Sequence, residues 1–169
     1  VRGALKNIQS VKGNVTLSGM RLKGPLGRPE KWDFQTAGEL KDLIVNTSLL
    51  PEPFAVSSGK FNLYPQKITI AGFQTKFLSA SLNVSGALYD YQQGLERAEL
   101  SLRGRVTPGD VQWLSSALGL KTKVQLRSSV GISQAELSWR KGVDLGLRAD
   151  LQVQNGPEIS LDILRHIPE

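Results

Sequence analysis

The side chains that most often carry chemistry are sparse and scattered in this chain. Its 169 residues include one histidine, His166, and no cysteine. Without cysteine, disulfides, thiolate metal sites and cysteine nucleophiles drop out together, and cytosol and bacterial envelope both stay open as compartments. His166 lies near the chain end with no second histidine, which suits a solvated residue better than a general base. Metal sites need three or four clustered ligands, whereas the acids here are spread singly and form no calcium-type loop. Asp144 and Asp150 fall on one predicted strand, about 20 Å apart at strand rise, too far to flank a single glycosidic bond. The glycines never open a helix after a strand at the spacing of a phosphate loop or dinucleotide fingerprint. Asn14, Asn46 and Asn83 begin glycosylation-type triplets, read here as accidental. The chain therefore reads as non-enzymatic, with no metal and no cofactor.

The charge balance admits partners without naming one. Against 15 acidic residues stand 21 Lys and Arg, a formal charge of +6, so an anionic lipid, a nucleic acid or an acidic partner is conceivable. The cations, among them Arg103, Arg105, Lys121, Lys123, Arg127, Arg140 and Arg148, sit along alternating strand faces and form no block. A nucleic-acid platform wants aromatic residues exposed between basic ones, and most aromatics here sit at apolar phase or beside turns, so the reading is no nucleic acid. No apolar run approaches the roughly 20 residues of a spanning helix, and there is no signal peptide. The chain opens on Val1 and reads as an excised segment, any anchor or export signal lying outside it.

What would position a site is a series of strands. From Val143 to Gln154, apolar Val143, Leu145, Leu147, Ala149, Leu151 and Val153 alternate with polar residues or glycine. This is the period of a half-buried strand, about 40 Å long. Similar segments are predicted at Asn14 to Lys23, Trp32 to Asn46 (one or two strands, broken near Gly38), Phe61 to Tyr64, Lys67 to Gln74, Phe77 to Tyr89 and Glu99 to Val106. They resume at Lys121 to Val130, Ser133 to Lys141 and Glu158 to Arg165. The Leu49 to Pro53 stretch is an extended connection because proline disfavours helix at and before itself. Lys141-Gly142 and Asn155-Gly156-Pro157 suit tight turns.

One short helix is expected at about 108–118. Thr107 supplies a capping hydroxyl, Pro108 the first helical position and Asp110 an acid in the first turn, with Gly119 as the stop. Val111, Leu114 and Leu118 form one face, flanked by Trp113 and Ala117. Three turns are marginal alone, so the helix must dock on the sheet. The fold class is thus mainly β: an antiparallel meander of long amphipathic strands forming a curved, twisted sheet or open groove, with one short helix. It is a single domain over 1–169, with weak sub-units at 1–89 and 99–169. A pentad of apolar, polar, apolar, polar, glycine recurs at Val15–Gly19, Leu82–Gly86 and Leu100–Gly104. Its glycines are either points where the sheet bulges or curls, or products of alternation alone.

The candidate functional surface is the apolar face itself. It comprises Phe61, Leu63, Ile68, Ile70, Leu78, Leu82, Val84, Leu88, Leu100, Leu102, Leu137, Trp139, Leu145, Leu147, Leu151 and Val153. If the sheet closed on itself these would be ordinary core, as in a small barrel or sandwich. If it stays open, they line a groove suited to an acyl chain, which asks only for non-directional apolar burial. An outer-membrane barrel is disfavoured by the lack of aromatic girdles and regular ten-residue strands.

Between Thr36 and Leu88 the chain resembles a known family. The stretch Thr36-Ala-Gly-Glu-Leu-Lys-Asp-Leu-Ile-Val is followed by Leu50-Pro-Glu-Pro-Phe, Ser58-Gly-Lys-Phe-Asn-Leu, Lys67-Ile-Thr-Ile-Ala-Gly-Phe and Ser81-Leu-Asn-Val-Ser-Gly-Ala-Leu. This succession resembles the AsmA-like family of bacterial envelope proteins, related to the TamB and YhdP repeating β-groove proteins. The resemblance implies a long twisted β-groove in an inner-membrane-anchored protein extending through the periplasm. The implied activity is passage of phospholipid toward the outer membrane without covalent chemistry. The implied partners are phospholipid or another acyl-chain lipid, the remainder of the same polypeptide and envelope proteins. The family's N-terminal membrane helix is not in this sequence. The alternative is a structural or interaction scaffold of the envelope with a closed hydrophobic core.

Overall fold

Alternating polarity with short polar connections favours strands that pair with their sequence neighbours, and the computed structural model has this form throughout. It describes residues 8–28, 32–48, 50–91, 94–117, 127–153 and 158–166. The strands are β1 (Ile8–Lys23), β2 (Asp33–Thr47), β3 (Phe54–Leu63), β4 (Lys67–Phe77), β5 (Ala80–Tyr89), β6 (Arg97–Val106), β7 (Val130–Arg140), β8 (Asp144–Val153) and β9 (Glu158–His166), with one helix, α1 (Pro108–Ala117), between β6 and β7. They form one nine-stranded sheet in the order of the chain. Each strand pairs antiparallel with the next. The meander with one short helix is as expected, and the sheet is open.

Several element boundaries differ from the pattern-based expectation. The expected break near Gly38 does not occur, and β2 runs unbroken because the ring of Phe61, directly opposite, occupies the space a Cβ would take at Gly38. An aromatic ring laid over a cross-strand glycine restores the packing that the missing side chain forgoes. β3 begins at Phe54 rather than Phe61, since Ala55 to Lys60 already pair with both neighbours. The expected strand at Phe77 to Tyr89 is instead the end of β4, a turn at Leu78 and Ser79, and β5. Of the expected strand at Lys121 to Val130, residues 121–126 lie outside the described residues, and Val130 opens β7. Gly119, Leu118 and the 155–157 turn are likewise outside them.

β-Bulges set which residues share a face. In β2, Asp42 has φ +52° and, with Leu43, faces the single residue Gly13 of β1. The apolar parity accordingly passes from Leu40 to Leu43. In β4, Ala71 and Gly72 face Ser85, whose hydroxyl accepts a 2.9 Å hydrogen bond from the Gly72 N–H, and parity passes from Ile70 to Phe73. In β7, Ser133 is the extra residue against β8, its hydroxyl donating 3.0 Å to the Asp150 carbonyl. An inserted residue reverses alternation beyond it and sharpens the local twist.

The glycines of the recurring pentad all have positive φ: Gly19 at +62°, Gly86 at +146° and Gly104 at +149°. At Gly86 a Cβ would collide with the carbonyl oxygen of Glu99, and at Gly104 with that of Ser81. These are close cross-strand approaches that only glycine permits.

α1 begins as its sequence dictates. The Thr107 N–H and hydroxyl donate to Asp110 Oδ2 at 2.6 and 2.8 Å, and the Asp110 N–H donates back to Thr107 Oγ1 at 3.4 Å. The other carboxylate oxygen accepts from the Ser79 N–H at 2.9 Å, so the buried Asp110 both caps α1 and ties it to the β4–β5 turn. The edge of Trp113 meets Phe77 with centroids 4.9 Å apart and planes at 68°. The helix thus docks through Trp113 at the end of the sheet where β4 turns into β5.

A candidate apolar binding face

The register carries one apolar row across every strand. Leu17 pairs with Gly38, Gly38 with Phe61, Phe61 with Ile70, Ile70 with Gly86, Gly86 with Leu100, Leu100 with Leu137, Leu137 with Leu147, and Leu147 with Ile163. A neighbouring row runs through Val15, Leu40 and Gly59, then Phe73, Val84, Leu102, Ala135, Ala149 and Leu161, the ring of Phe73 filling the space above Gly59. At about 4.8 Å between strands the nine strands extend such a row to roughly 38 Å. No charged residue interrupts either row.

Burial on this face follows side-chain size. The well-buried residues are small or β-branched: Ala80, Ala98, Ala135, Ala149, Val56 and Val130, with Thr36 and Thr75. The threonine hydroxyls donate to the carbonyls of Ser18 (3.3 Å) and Leu82 (3.0 Å), which satisfies the polar atoms within an apolar surface. Among the described residues no buried side-chain polar atom lacks a partner. The larger Phe61, Leu63, Ile68, Ile70, Leu82, Val84, Leu88, Leu100, Leu102, Leu137, Trp139, Leu145, Leu147 and Leu151 are only half-buried. Toward β1 the face opens further, with Val15 at 55% and Leu17 at 58% exposure.

Of the residues anticipated from sequence, the register brings nearly all to this face. Leu78 is the exception: it sits in the β4–β5 turn with φ +52°, where the strand alternation no longer governs it. Val153 occupies the position opposite Val130, and its side chain lies outside the described set. Leu40, Leu43, Val45, Val56, Phe73 and Ile132 belong to the same face and were not anticipated. Leu43, Phe73 and Ile132 adjoin bulges that disguise their phase, whereas Val15 and Leu17 were visible in the pentad pattern.

The opposite face is mainly polar, with exposed Ile44 and Leu164 among its polar residues, and weakly cross-linked. Lys60 meets Glu39 at 3.4 Å, Arg148 meets Asp162 at 3.3 Å and Lys141 meets Glu96 at 2.9 Å. Such exposed pairs contribute at most about 1 kcal/mol each. Tyr89 carries Arg97 over its ring at 3.9 Å and Lys67 at 5.2 Å. A shallow cavity of about 730 Å³ is lined by Glu99, Glu136, Arg148 and Asp162 of this side together with Leu100, Leu137, Leu147 and Leu164. Asp144 and Asp150 stand apart, Asp144 opposite Arg140 and Asp150 accepting 2.8 Å from the Ser160 hydroxyl. His166 pairs with Asp144 at the end of β9, its side chain outside the described set. Among the described residues no three His, Cys, Asp or Glu cluster to hold a metal ion, and no helix is long and apolar enough to cross a membrane. Asn14, Asn46 and Asn83 lie within β1, β2 and β5, and Asn46 donates 2.8 Å to the Ser10 hydroxyl.

No protein-family model matches the chain, and no curated protein or solved structure shows significant similarity to it.

Proposed function

We propose that this chain is a non-enzymatic lipid-binding segment that holds phospholipid acyl chains along its apolar β-face. In this reading it belongs to an AsmA-like, inner-membrane-anchored envelope protein and works in the periplasm, in transport between inner and outer membranes. The supporting observation is the pair of uncharged rows crossing all nine strands, in which Phe61, Ile70, Phe73, Val84, Leu100, Leu102, Leu137 and Leu147 stay half-open to their surroundings. One leaflet of a bilayer is about 15 Å of hydrocarbon, so a row of roughly 38 Å accommodates an extended acyl chain with length to spare. Contacts made mainly by Leu, Ile, Val and Phe impose no direction and little head-group selectivity. Such a surface suits a lipid that slides, and a defined polar metabolite would need convergent polar groups instead.

The deciding experiment is native mass spectrometry of the gently purified chain, with solvent extraction of whatever travels with it. Co-purifying phospholipid in one or a few copies is the expected result. A clean apo mass from folded protein, unchanged after incubation with phospholipid vesicles, would refute the proposal in favour of an envelope scaffold.

A further inference from the structure

We infer that Lys76, Arg103 and Arg105 form a cationic patch on the mainly polar face that docks on an anionic lipid surface. The sequence keeps Lys76 well apart from the two arginines, and the strand register brings them together. Lys76 of β4 pairs with Ser81 of β5, which pairs with Arg105 of β6, and the next row on the same face runs through Gln74, Asn83 and Arg103. Two strand spacings set the Lys76 and Arg105 backbones about 10 Å apart, and Arg103 precedes Arg105 by about 7 Å along β6. All three residues are exposed. Elsewhere on the sheet Lys60, Arg97, Lys141 and Arg148 each lie beside a carboxylate. Among the described residues, Lys76, Arg103 and Arg105 have neither an ion-pair partner nor a side-chain hydrogen bond. On the same two rows Asp150 is two strands from Arg103 and accepts from the Ser160 hydroxyl, and Glu158 is three strands from Arg105. Asp42, in the β2 bulge, is two strands from Lys76.

The surroundings of the patch select the partner. Three exposed cations with no second group to hold them in place make a local positive field, whereas a site for one defined anion would have its donors fixed in advance. Between them stand Gln74, Ser81 and Asn83, and no aromatic side chain on which a nucleic-acid base would stack. Beyond Lys76 the same row continues through Ala55 to Ile44, which is 41% exposed, and then to Lys12. Cations flanking an exposed aliphatic side chain suit a bilayer interface, where attraction to anionic head groups adds to shallow apolar insertion. The patch lies on the face opposite the apolar rows, so the inference does not depend on what those rows hold.

The test is co-sedimentation of the whole chain with vesicles of phosphatidylcholine alone and of phosphatidylcholine mixed with phosphatidylglycerol. Binding should require phosphatidylglycerol and should fall as added salt shortens the screening length. Lys76→Gln, Arg103→Gln and Arg105→Gln should each weaken it about fivefold, with unchanged circular dichroism because all three positions are exposed. Arg148→Gln, which removes the same charge from an ion pair, should leave it nearly unchanged. Leu147→Asp, aimed at the apolar face, should bind the mixed vesicles as the parent chain does, which separates failure here from failure to hold an acyl chain. Absence of binding to the mixed vesicles, equal binding to both kinds, or binding undiminished in the three patch variants would overturn the inference. Retention of polyglutamate or of an RNA homopolymer in place of the mixed vesicles would overturn it equally, in favour of an acidic protein or a nucleic acid.

Discussion

Replacing Leu147 by Asp separates an open lipid-holding face from a closed core. Leu147 stands between Leu137 and Ile163 in the row crossing the sheet, and it is half-buried. Full burial of a leucine stabilises a fold by about 1.5–3 kcal/mol, so a half-buried one contributes about 1–1.5. Partial desolvation of the new carboxylate adds about 1–3 kcal/mol, for a total near 2–4. Domains of this size have about 5–15 kcal/mol in hand, so the variant should fold with a lowered urea midpoint. Its uptake of a fluorescent fatty acid should be lost, because a carboxylate in the middle of the row forces an acyl chain to desolvate a charge. Val84→Asp, in the adjacent row, should act alike. Arg148→Ala, on the reverse face of the same strand, removes only an exposed ion pair and should change neither stability by more than about 0.5 kcal/mol nor uptake. Outright unfolding of Leu147→Asp would show that the face is sealed core, and a folded variant with undiminished uptake would show that the lipid sits elsewhere.

Other consequences are open to test. Trp139 lies on the apolar face opposite Leu145 and Ala98, while Trp32 donates to the Pro25 carbonyl at 2.8 Å in the β1–β2 connection. In single-tryptophan variants, brominated acyl chains should quench Trp139 and leave Trp32 bright; equal quenching of both would contradict the assigned face. Gly86→Ala should cost about 1–3 kcal/mol in urea unfolding, because its positive φ and the Glu99 carbonyl leave no place for a Cβ; a neutral result would remove the close-approach explanation. Asp110→Ala deprives Thr107 and Ser79 of their acceptor and should destabilise by about 2–4 kcal/mol, measured by thermal unfolding, and an unchanged midpoint would mean that α1 is anchored otherwise.

Local pattern carried much of the fold. The alternation from Leu145 to Leu151 could only be a half-buried strand, and Thr107-Pro108-Gly109-Asp110 could only start a helix, since both depend on contacts within a few residues. The short polar links made sequence neighbours into sheet neighbours, so the meander followed. The apolar residues of β5, β6 and β8 were legible for the same reason, as were Phe61 and Leu63 of β3, whereas Val56 lies beyond an irregularity in β3 that reverses its parity.

Tertiary structure decided what depends on residues far apart in the chain. Whether Gly38 breaks a strand rests on the ring of Phe61 across the sheet, which no local window contains. The phase of Leu43, Phe73 and Ile132 rests on bulges at Asp42, Gly72 and Ser133, each fixed by how two strands meet. Leu78 kept the right parity on paper and lost it to a turn set by the β4–β5 register. The pentad glycines signalled special backbone, but only the cross-strand carbonyls of Glu99 and Ser81 explain why Gly86 and Gly104 must be glycine. Alternation is a property of one strand and survives without its neighbours. A continuous row across nine strands is a property of eight registers at once, and the openness of the sheet is a property of its two edges, so both exist only in the folded chain.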